Sequence, residues 1–392
     1  MNYGKHFSTR RTPQSQALLG QVPNSAGGHA FQIDKWQGLQ RFLVLGSMGG
    51  SYYVEEKDLT IENAQSIQEC IKEDGVRVVR EIVEVSSEGR AAKNDPALFA
   101  LAMCAGAADV TVRQAAIEAL PKVARIGTHL FHFAEYVENF RGWGRSLRRG
   151  VGDWYKNQHI DNLAYQAVKY KQRDGWSHRD LLRLSHPKGN AEQKAVYDWI
   201  CGREVPSTAL PLVAAHADAV HLAAETDAKV ATRLAIDAIR EVNLPREALP
   251  TELLENPEVW TAMLPRMPLT AMIRNLGKMS SLGILKPMSD ESEIVVKKLA
   301  DLPAMQKARV HPMAILLALA TYRSGHGVRG NLKWTADETI VGALDRAFYL
   351  SFKAVVPTDK RILLALDVSG SMTYPLMNSP LSCREGTAAL AL

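Results

Sequence analysis

The amino-acid sequence predicts a mostly α-helical protein, an α-solenoid of stacked helix pairs followed by the start of an α/β domain. Two observations predict the solenoid: apolar residues recur at three- and four-residue spacing from about residue 60 to residue 352, and Pro, Gly or Asn interrupts them roughly every 12 to 18 residues. Helices of this length, rich in Ala and Leu and lacking a shared heptad, are typical of HEAT-like repeats rather than of a bundle. A change of period near residue 361 predicts the α/β segment.

Two regions precede that change of period. Residues 1–55 are rich in Gly, Ser, Gln and aromatic residues, which predicts an ordered but irregular lead-in packed on the helices. Residues 56–357 carry the helical pattern. Apolar positions between Ile67 and Val83 predict the first two helices, and Asn94 is the expected cap of a third, with Pro96 near its first turn.

Residues 358–392 form the third region, the start of the α/β domain. The uninterrupted apolar run Ile362–Leu366 predicts a buried parallel strand, because a strand covered on both faces has no polar side. Asp367, Ser369 and Ser371 follow it, so one carboxylate and two hydroxyls lie where α/β folds bind ligands, and three hard oxygens suit Mg²⁺. Serine at position 369 excludes an Asp-x-Asp phosphatase, and the Gly-x-Ser-x-Gly motif of a serine hydrolase is absent.

Composition excludes several classes of protein. The chain has 392 residues, 46% of them hydrophobic, so it is long enough for two or three domains and too apolar for disorder. Its 4 cysteines are far apart and form no CxxC pair, which disfavours a zinc cluster and a disulfide framework. No stretch approaches the roughly 18 apolar residues of a membrane span. We therefore expect a reduced, cytoplasmic protein without a membrane partner.

Positive charge is concentrated in one segment. The whole chain has a formal net charge of +5, whereas residues 141–188 hold eleven Lys and Arg against four Asp and Glu, or +7, which leaves about −2 for the remainder. Aromatic residues accompany these cations between Trp154 and His186. Basicity confined to one sector is the electrostatic footprint of a nucleic-acid-binding protein.

Three successive predicted helices place the cations of this segment on one side. In the last of them Ser177 is the expected cap, with Asp180 in a near capping box, so that the charged residues after it share a face. The three groups are Arg145, Arg148 and Arg149; Tyr165, Lys169 and Arg173; and Arg179, Arg183 and His186. The charged side of a single helix of this kind is more often just a solvent-exposed polar face. Three neighbouring helices with few acidic residues to balance their cations favour a polyanion-binding surface.

Two further motifs carry cations. Residues 267–279 place Arg274 and Lys278 one turn apart on a predicted helix. The loop Gly325–Gly330 contains Arg329 but has neither the spacing nor the preceding strand of a nucleotide-binding fingerprint, so we interpret it as a turn.

Four stretches together resemble the Ro ribonucleoprotein family, whose helical TROVE module precedes a von Willebrand factor A domain. They are Lys169–His186, Met267–Met279, Tyr322–Trp334 and the DVSGS segment Asp367–Ser371. The resemblance extends from Ala30 to Ser371. It implies that residues 56–357 form a closed ring of HEAT-like helices and that residues 358–392 begin the A domain.

The resemblance also implies a function. Ro-like proteins are non-catalytic RNA-binding proteins of RNA quality control, which bind Y RNA on a basic outer surface and admit the single-stranded ends of misfolded RNAs into the central hole. We name an exoribonuclease as a further expected partner, and we expect a monomer. With the arginines of the first basic helix included, the RNA-binding residues that we predict are Lys169, Lys171, Arg173, His178, Arg179, Arg183, His186, Arg145, Arg148, Arg149, Arg274, Lys278 and Arg329.

The same resemblance makes Asp367, Ser369 and Ser371 similar to the first three ligands of the metal-ion-dependent adhesion site of an A domain, with Mg²⁺ as the ion. Only the first strand and the opening of the first helix of that domain are expected, with Thr387 inside that helix. The later ligands do not follow, so we expect an incomplete site, and a natural truncation, a split gene or a fragment.

Two other functions are weighed against an RNA-binding ring. A protein-interaction solenoid would use the same basic face for an acidic partner, with incidental RNA binding. A metal-dependent RNA-processing enzyme fits poorly, because neither paired carboxylates nor a Cys/His cluster stands beside the basic segment. We therefore predict a non-enzymatic RNA-binding protein.

Overall fold

Helices dominate the computed structural model of the chain, as the sequence predicts. The structure describes residues 17–23, 28–46, 56–91, 93–205, 210–216, 227–328, 330–354, 363–376 and 379–392. The helices are α1 Lys35–Leu45, α2 Glu56–Glu88, α3 Asp95–Gly106, α4 Val110–Val123, α5 Gly127–Phe140, α6 Arg145–Lys156, α7 Ile160–Lys169, α8 His178–Ser185, α9 Ala191–Ile200, α10 at 211–216, α11 Ala228–Val242, α12 Pro257–Met263, α13 Leu269–Ser281, α14 Asp290–Leu299, α15 Leu302–Lys307, α16 Pro312–Ser324, α17 Glu338–Ser351 and α18 Cys383–Ala391. Two antiparallel hairpins pair β1 Gln21–Pro23 with β2 His29–Phe31, and β3 Gln172–Arg173 with β4 Trp176–Ser177. None of the helices in these ranges combines the length and apolar character that crossing a membrane requires.

Side-chain caps and proline set the ends of many helices. Asp34 accepts a hydrogen bond from the backbone N–H of Gln37, and the Gln37 side chain accepts one from the N–H of Asp34, which starts α1 with a capping box. Pro312 occupies the first turn of α16, where its missing N–H costs no hydrogen bond. Gly325 ends the same helix with a left-handed φ of 72°.

In the first half of the chain most helices pack beside the helix two places further along. In one row α2 packs on α4, α4 on α6 and α6 on α8, while in the other α1 packs on α3, α3 on α5 and α7 on α9. The two rows share one core, in which Leu98, Leu120 and Phe131 are fully buried. Further along, α13 packs on α16 and α14 on α17. Stacking of this kind characterises a helical solenoid.

Two glycines allow neighbouring helices of one row to approach closely. A Cβ on Gly75 of α2 would collide with Val112 of α4, and a Cβ on Gly150 of α6 would collide with Ile117 of α4. A larger residue at either glycine would push the helices apart.

One contact joins distant parts of the helical series. Arg309, which follows α15, donates a 2.7 Å hydrogen bond from Nε to the carbonyl oxygen of Ser87 near the end of α2. Gly89, with φ at 69°, packs against the same Arg309 side chain. The late helices therefore meet the early ones at this point. Closure of the whole series into a ring remains a prediction that this contact supports.

The region before residue 56 contains regular elements that the sequence prediction missed. The hairpin of β1 and β2 and the helix α1 lie in it, and α1 packs on α2 and α3 through Leu39, Phe42 and Leu43. The prediction of two helices between Ile67 and Val83 corresponds to two segments of α2. They meet at Asp74, whose φ of −152° and ψ of 80° are not helical.

The prediction of a buried strand at Ile362–Leu366 is wrong for the residues that the structure describes. Ile362 lies outside them, and residues 363–366 have no regular secondary structure. Leu363 is 96% exposed and Leu364 is 54% exposed. A strand needs a neighbour to bond its backbone, and no described strand lies beside these residues. The helix expected around Thr387 is formed, as α18.

Candidate nucleic-acid interface

Helix α6 turns its arginines towards solvent. Arg145, Arg148 and Arg149 are exposed. On the opposite side Trp154 is fully buried, and its indole Nε1 donates a 2.5 Å hydrogen bond to the carbonyl oxygen of Ala124. The buried indole fixes the rotation of α6 about its axis, so the three guanidinium groups can only face outwards.

Helix α8 begins with the predicted capping box. The N–H of Ser177 donates to the Asp180 carboxylate at 3.0 Å, and the N–H of Asp180 donates to Ser177 Oγ at 3.3 Å. The helix that follows exposes Arg179 and Arg183, one turn apart. His186 ends the helix in a left-handed conformation with φ at 44° and is also exposed. All three residues are therefore exposed, as the predicted face requires.

Helices α6 and α8 pack against each other, and each of them exposes arginines. Gly152 of α6 faces Ser185 and Pro187 at the end of α8, and a Cβ on it would lie 3.6 Å from the Ser185 carbonyl oxygen. We call the exposed arginines of this pair the arginine face. The arginine face consists of Arg145, Arg148, Arg149, Arg179 and Arg183.

The arginine face is free of ion pairs within the described part of the chain. None of its five guanidinium groups lies within 4.0 Å of a carboxylate there. Acidic residues begin at its edge, where an open cavity of about 490 Å³ is lined by Arg183 together with Glu135, Glu138, Asp174 and Asp180. Arg183 therefore marks the border between a positive face and an acidic recess.

His178 lies on the buried side of α8, so its predicted place on the outer surface is wrong. The side chain is 3% exposed, and its Nδ1 lies 2.8 Å from the hydroxyl of Tyr155. Helical geometry explains the burial, because His178 precedes Leu181 and Leu182 by three and four positions and shares their buried face. Burial lowers the pKa of His178 to about 4, so the ring is neutral at pH 7 and adds no charge to the surface.

The alignment predicted for Tyr165, Lys169 and Arg173 along one helix is also wrong. Helix α7 ends at Lys169, and β3 and β4 follow as a short hairpin. Its turn is Asp174–Gly175, with φ at 50° and 78°. An Asp-Gly pair between two extended runs is a strong hairpin signal, and it is present in the sequence. Lys171 and Arg173 are nevertheless exposed, on the hairpin rather than on a helix.

Lys169 is held between two tyrosines instead of extending into solvent. Its Nζ lies 3.3 Å from the Tyr165 hydroxyl and 5.2 Å and 5.4 Å from the ring centroids of Tyr165 and Tyr170. Burial on its own lowers the pKa of Lys169, but interactions with Tyr170, Tyr165 and Glu247 outweigh that effect and the pKa is raised. Lys169 is therefore charged but less accessible than the arginine face.

Two cations near Lys169 were missed by sequence reasoning. Arg246 and Arg266 line the same narrow crevice as Lys169. Arg246 donates from Nη1 to Asn275 Oδ1 at 3.3 Å, and Arg266 donates from Nη1 to the carbonyl oxygen of Arg240 at 2.6 Å. No local pattern in the sequence could have found them, because both approach Lys169 only in the folded chain, Arg246 through the packing of α7 against residues 246–248.

The cations predicted on α13 differ from each other. Arg274 is exposed, and no carboxylate pairs with it among the described residues. Lys278 is bonded to Glu255, with 2.7 Å between its Nζ and the carboxylate Oε2. Arg329 lies outside the described residues.

The three oxygens predicted as Mg²⁺ ligands lie together. Asp367 Oδ1 accepts a 2.8 Å hydrogen bond from the N–H of Ser369, and Ser369 Oγ lies 2.9 Å from Ser371 Oγ. Hydrogen bonds from the Ser369 backbone and side chain lower the pKa of Asp367, so its carboxyl group is charged at neutral pH. One carboxylate and two hydroxyls fit a hard cation that keeps most of its water.

Comparison with known proteins identifies the family. A model of the TROVE domain matches residues 22–209 and 240–321, which together exceed half of the chain. The chain belongs to the TROVE family. The matched residues include α6, α8 and α13, and together with the RO60 relatives they confirm the resemblance to the Ro ribonucleoprotein family.

Relatives and a solved structure cover most of this TROVE-family chain. It is 40% identical to the RNA-binding protein RO60 of Deinococcus radiodurans over 368 residues, which are 92% of this chain and 68% of the relative. It is 34% identical to the RNA-binding protein RO60 of Caenorhabditis elegans over 468 residues, covering 98% of this chain and 71% of the relative. The crystal structure of the Deinococcus radiodurans Ro (Rsr) protein matches with a TM-score of 0.72 and 39% identity, over 91% of this chain and 72% of that one.

Proposed function

We propose that this chain is a non-catalytic RNA-binding protein that holds a structured small RNA of the Y RNA type on its arginine face. The observation that carries the proposal is the set of five exposed arginines on two packed helices, none of them paired with a carboxylate in the described residues. Two relatives whose printed names describe RNA-binding proteins support it.

Binding at such a face is driven by the release of counterions from RNA. Each phosphate that an arginine neutralises frees a condensed cation, so affinity falls steeply as salt rises. Arginine also binds phosphate in a bidentate geometry that lysine lacks, which favours it where a backbone must be held in a fixed register.

A ring would add a second place for RNA. The contact of Arg309 with Ser87 supports closure of the helical series, and a closed series leaves a central hole. We propose that the single-stranded ends of misfolded RNAs enter this hole, that such a protein acts in RNA quality control in the cytoplasm, and that an exoribonuclease processes what it presents.

The salt dependence of binding tests the proposal. Affinity for a Y-like stem-loop is expected to fall by roughly 100-fold or more between 50 and 200 mM salt, with a slope corresponding to several phosphates. The stem-loop should also bind more tightly than a fully paired duplex of equal length. Equal affinity for the stem-loop and for an acidic protein of matched charge would instead favour a protein-interaction solenoid that binds RNA only incidentally.

A metal site is a separate proposal. We propose that Asp367, Ser369 and Ser371 hold Mg²⁺ weakly, with water completing the coordination shell. Their grouped oxygens support this assignment. Titration of Mg²⁺ followed by the amide resonances of residues 367–371 tests it, and unchanged resonances at millimolar Mg²⁺ would exclude it.

A further inference from the structure

Two of the motifs that drew attention in the sequence line one cavity, although they are separated along the chain. Residues from 270–278 of α13 and from 322–334 meet α16 around a space of about 510 Å³. Ile273, Leu317 and Trp334 are among its apolar walls. A volume of several hundred Å³ with apolar walls is typical of a site for a small organic group.

The aromatic wall of this cavity is fixed. The ring of Trp334 lies over Gly277, where a Cβ would come within 2.7 Å of its Cζ3 atom. Trp334 also stacks on Tyr322 with 6.3 Å between ring centroids, and its Nε1 donates a 2.9 Å hydrogen bond to the Tyr322 carbonyl oxygen. The Tyr322 hydroxyl is in turn hydrogen-bonded to Ser280, with 2.8 Å between its oxygen and Ser280 Oγ. The indole is therefore positioned before any ligand binds, and little side-chain entropy is lost on binding.

The charges around the cavity select for an anion. Arg274 and Lys278 line it, although Lys278 is paired with Glu255, and no carboxylate is among the residues that line it in the described part of the chain. Arg274 is exposed and has no ion pair there, so it is free to bind a phosphate. The cavity beside Arg183 has the opposite character, because four carboxylates line it and would repel an anion.

We propose that the cavity between α13 and α16 binds one unpaired nucleotide of an RNA chain, with the base against Trp334 and the apolar walls and the phosphate at Arg274. Thr270 and Thr321 supply hydroxyls that can bond the edge of the base. An RNA base is planar, apolar on its faces and linked to a phosphate, so it matches a site that combines apolar walls, an aromatic ring and a free cation. The inference rests on the proposed RNA-binding function but uses a different part of the surface.

Binding of single-stranded hexamers to the whole chain tests the inference. Fluorescently labelled hexa-adenylate is expected to bind about 10-fold or more tightly than an abasic hexamer with the same phosphates, because only the former has a base to bury. Equal affinity of the two hexamers would overturn the proposal, since phosphate contacts alone would then explain the binding.

Two substitutions locate the binding. Ala318→Leu fills the cavity and should abolish the difference between the two hexamers, whereas Ala228→Leu, at an exposed helical alanine of α11 outside the cavity, should preserve it. Arg274→Gln should lower the affinity for both hexamers by a similar factor, while Arg233→Gln on α11 should leave both affinities unchanged. Full discrimination between the hexamers by a correctly folded Ala318→Leu variant would place the base elsewhere and overturn the proposal.

A crosslink covers the case in which Ala318→Leu fails to fold. A hexamer carrying 5-iodouridine should crosslink to the peptide that contains Trp334, and crosslinks confined to α6 and α8 would overturn the assignment.

The double variant Arg179→Glu with Arg183→Glu separates this inference from the proposed function. It should lower affinity for the stem-loop by about 100-fold or more, while hexa-adenylate should still bind more tightly than the abasic hexamer. Loss of that difference between the hexamers would count against the cavity. Self-association of the chain that Ala318→Leu prevents would show that a second copy fills the cavity instead.

Discussion

Helices α8 and α13 both carry cations that the sequence singles out, but they present them in different surroundings. On α8, which packs against α6, Arg179 and Arg183 are exposed to solvent. On α13, Arg274 stands at the rim of a concave apolar cavity, and Lys278 is bonded to Glu255. The same charge is therefore offered on an open surface in one place and beside a cavity in the other.

The difference shows why counting cations does not define an RNA site. An open face can reach phosphates, which are alike in every sequence, whereas a cavity with a fixed aromatic wall can also enclose a base. The buried sides of the two helices differ as well. His178 fits against Tyr155 under α8, and Gly277 admits the ring of Trp334 against α13.

The largest expected effect comes from reversing charge on α8. Arg179→Glu combined with Arg183→Glu should lower affinity for a Y-like stem-loop by about 100-fold or more, because two phosphate contacts are lost and two repulsive charges replace them. Filter binding at fixed salt measures this change. The melting temperature should stay close to that of the parent, since both side chains are exposed.

The control for this variant is a pair of exposed arginines on another helix. Arg233→Glu with Arg240→Glu on α11 makes the same change in net charge away from the arginine face. Its affinity for the stem-loop should fall only a few-fold. Equal losses in the two double variants would mean that net charge, and not the arginine face, controls binding.

The buried side of α8 should make stability depend on pH. The pKa of His178 is lowered to about 4 from an ordinary 6.5, so the unfolded chain binds a proton at a higher pH than the folded chain does. The stability that neutral His178 provides is complete above pH 6.5 and is lost as pH falls towards 4. Between pH 6.5 and pH 5 this loss amounts to about 2 kcal/mol.

Urea unfolding at pH 7, 6 and 5 measures that loss. His178→Gln should flatten the decline in unfolding free energy over this range, even though the variant is less stable at pH 7. Tyr155→Phe serves as the control, because it removes the hydroxyl beside His178 but keeps the titrating ring, so the decline should persist. Parallel curves for His178→Gln and the parent would assign the pH dependence to other groups, such as the half-buried His129, whose pKa is also lowered to about 4.

Local sequence signals account for much of the fold and of the arginine face. The capping residues Ser177 and Asp180 and the four-residue spacing of Arg179 and Arg183 predict α8 correctly, because helix ends and faces depend on short-range geometry. The same reasoning failed for Arg173, where an Asp-Gly turn overrode the apparent continuation of a helical pattern.

Other features depend on contacts between distant residues and could not be predicted. Burial of His178 depends on Tyr155, 23 positions earlier in the chain, and the charge of Lys278 is offset by Glu255, also 23 positions away. The apolar run that ends at Leu366 has the composition of a strand, but a strand also requires a neighbour, and composition does not reveal whether one is present.

A substitution beneath the cavity distinguishes close packing from helix propensity. Gly277→Ala should destabilise the protein by about 1 kcal/mol, because the new Cβ would lie 2.7 Å from Trp334 although alanine favours a helix. Gly342→Ala in α17 is the matched control. Its Cβ would meet only the flexible end of Arg346 at 3.5 Å, so it should stabilise the protein by about 0.5–1 kcal/mol. Thermal and urea unfolding measure the change in stability of both variants. If Gly277→Ala stabilises the protein, Trp334 is free to move away from the new Cβ.

The smallest effect concerns Lys278. Glu255→Gln releases this lysine from its carboxylate partner, and because Glu255 is 65% exposed the stability should change by less than about 1 kcal/mol. Affinity for the hexa-adenylate should nevertheless rise about twofold at low salt, since a cation at the cavity is freed, and the gain should disappear at high salt. Glu293→Gln, which breaks the exposed Glu293–Lys297 pair on α14, should leave hexamer binding unchanged. An equal rise in hexa-adenylate affinity in both variants would mean that the loss of a negative charge anywhere on the protein strengthens binding. Of the two cations at the cavity, only Arg274 would then contribute to RNA binding.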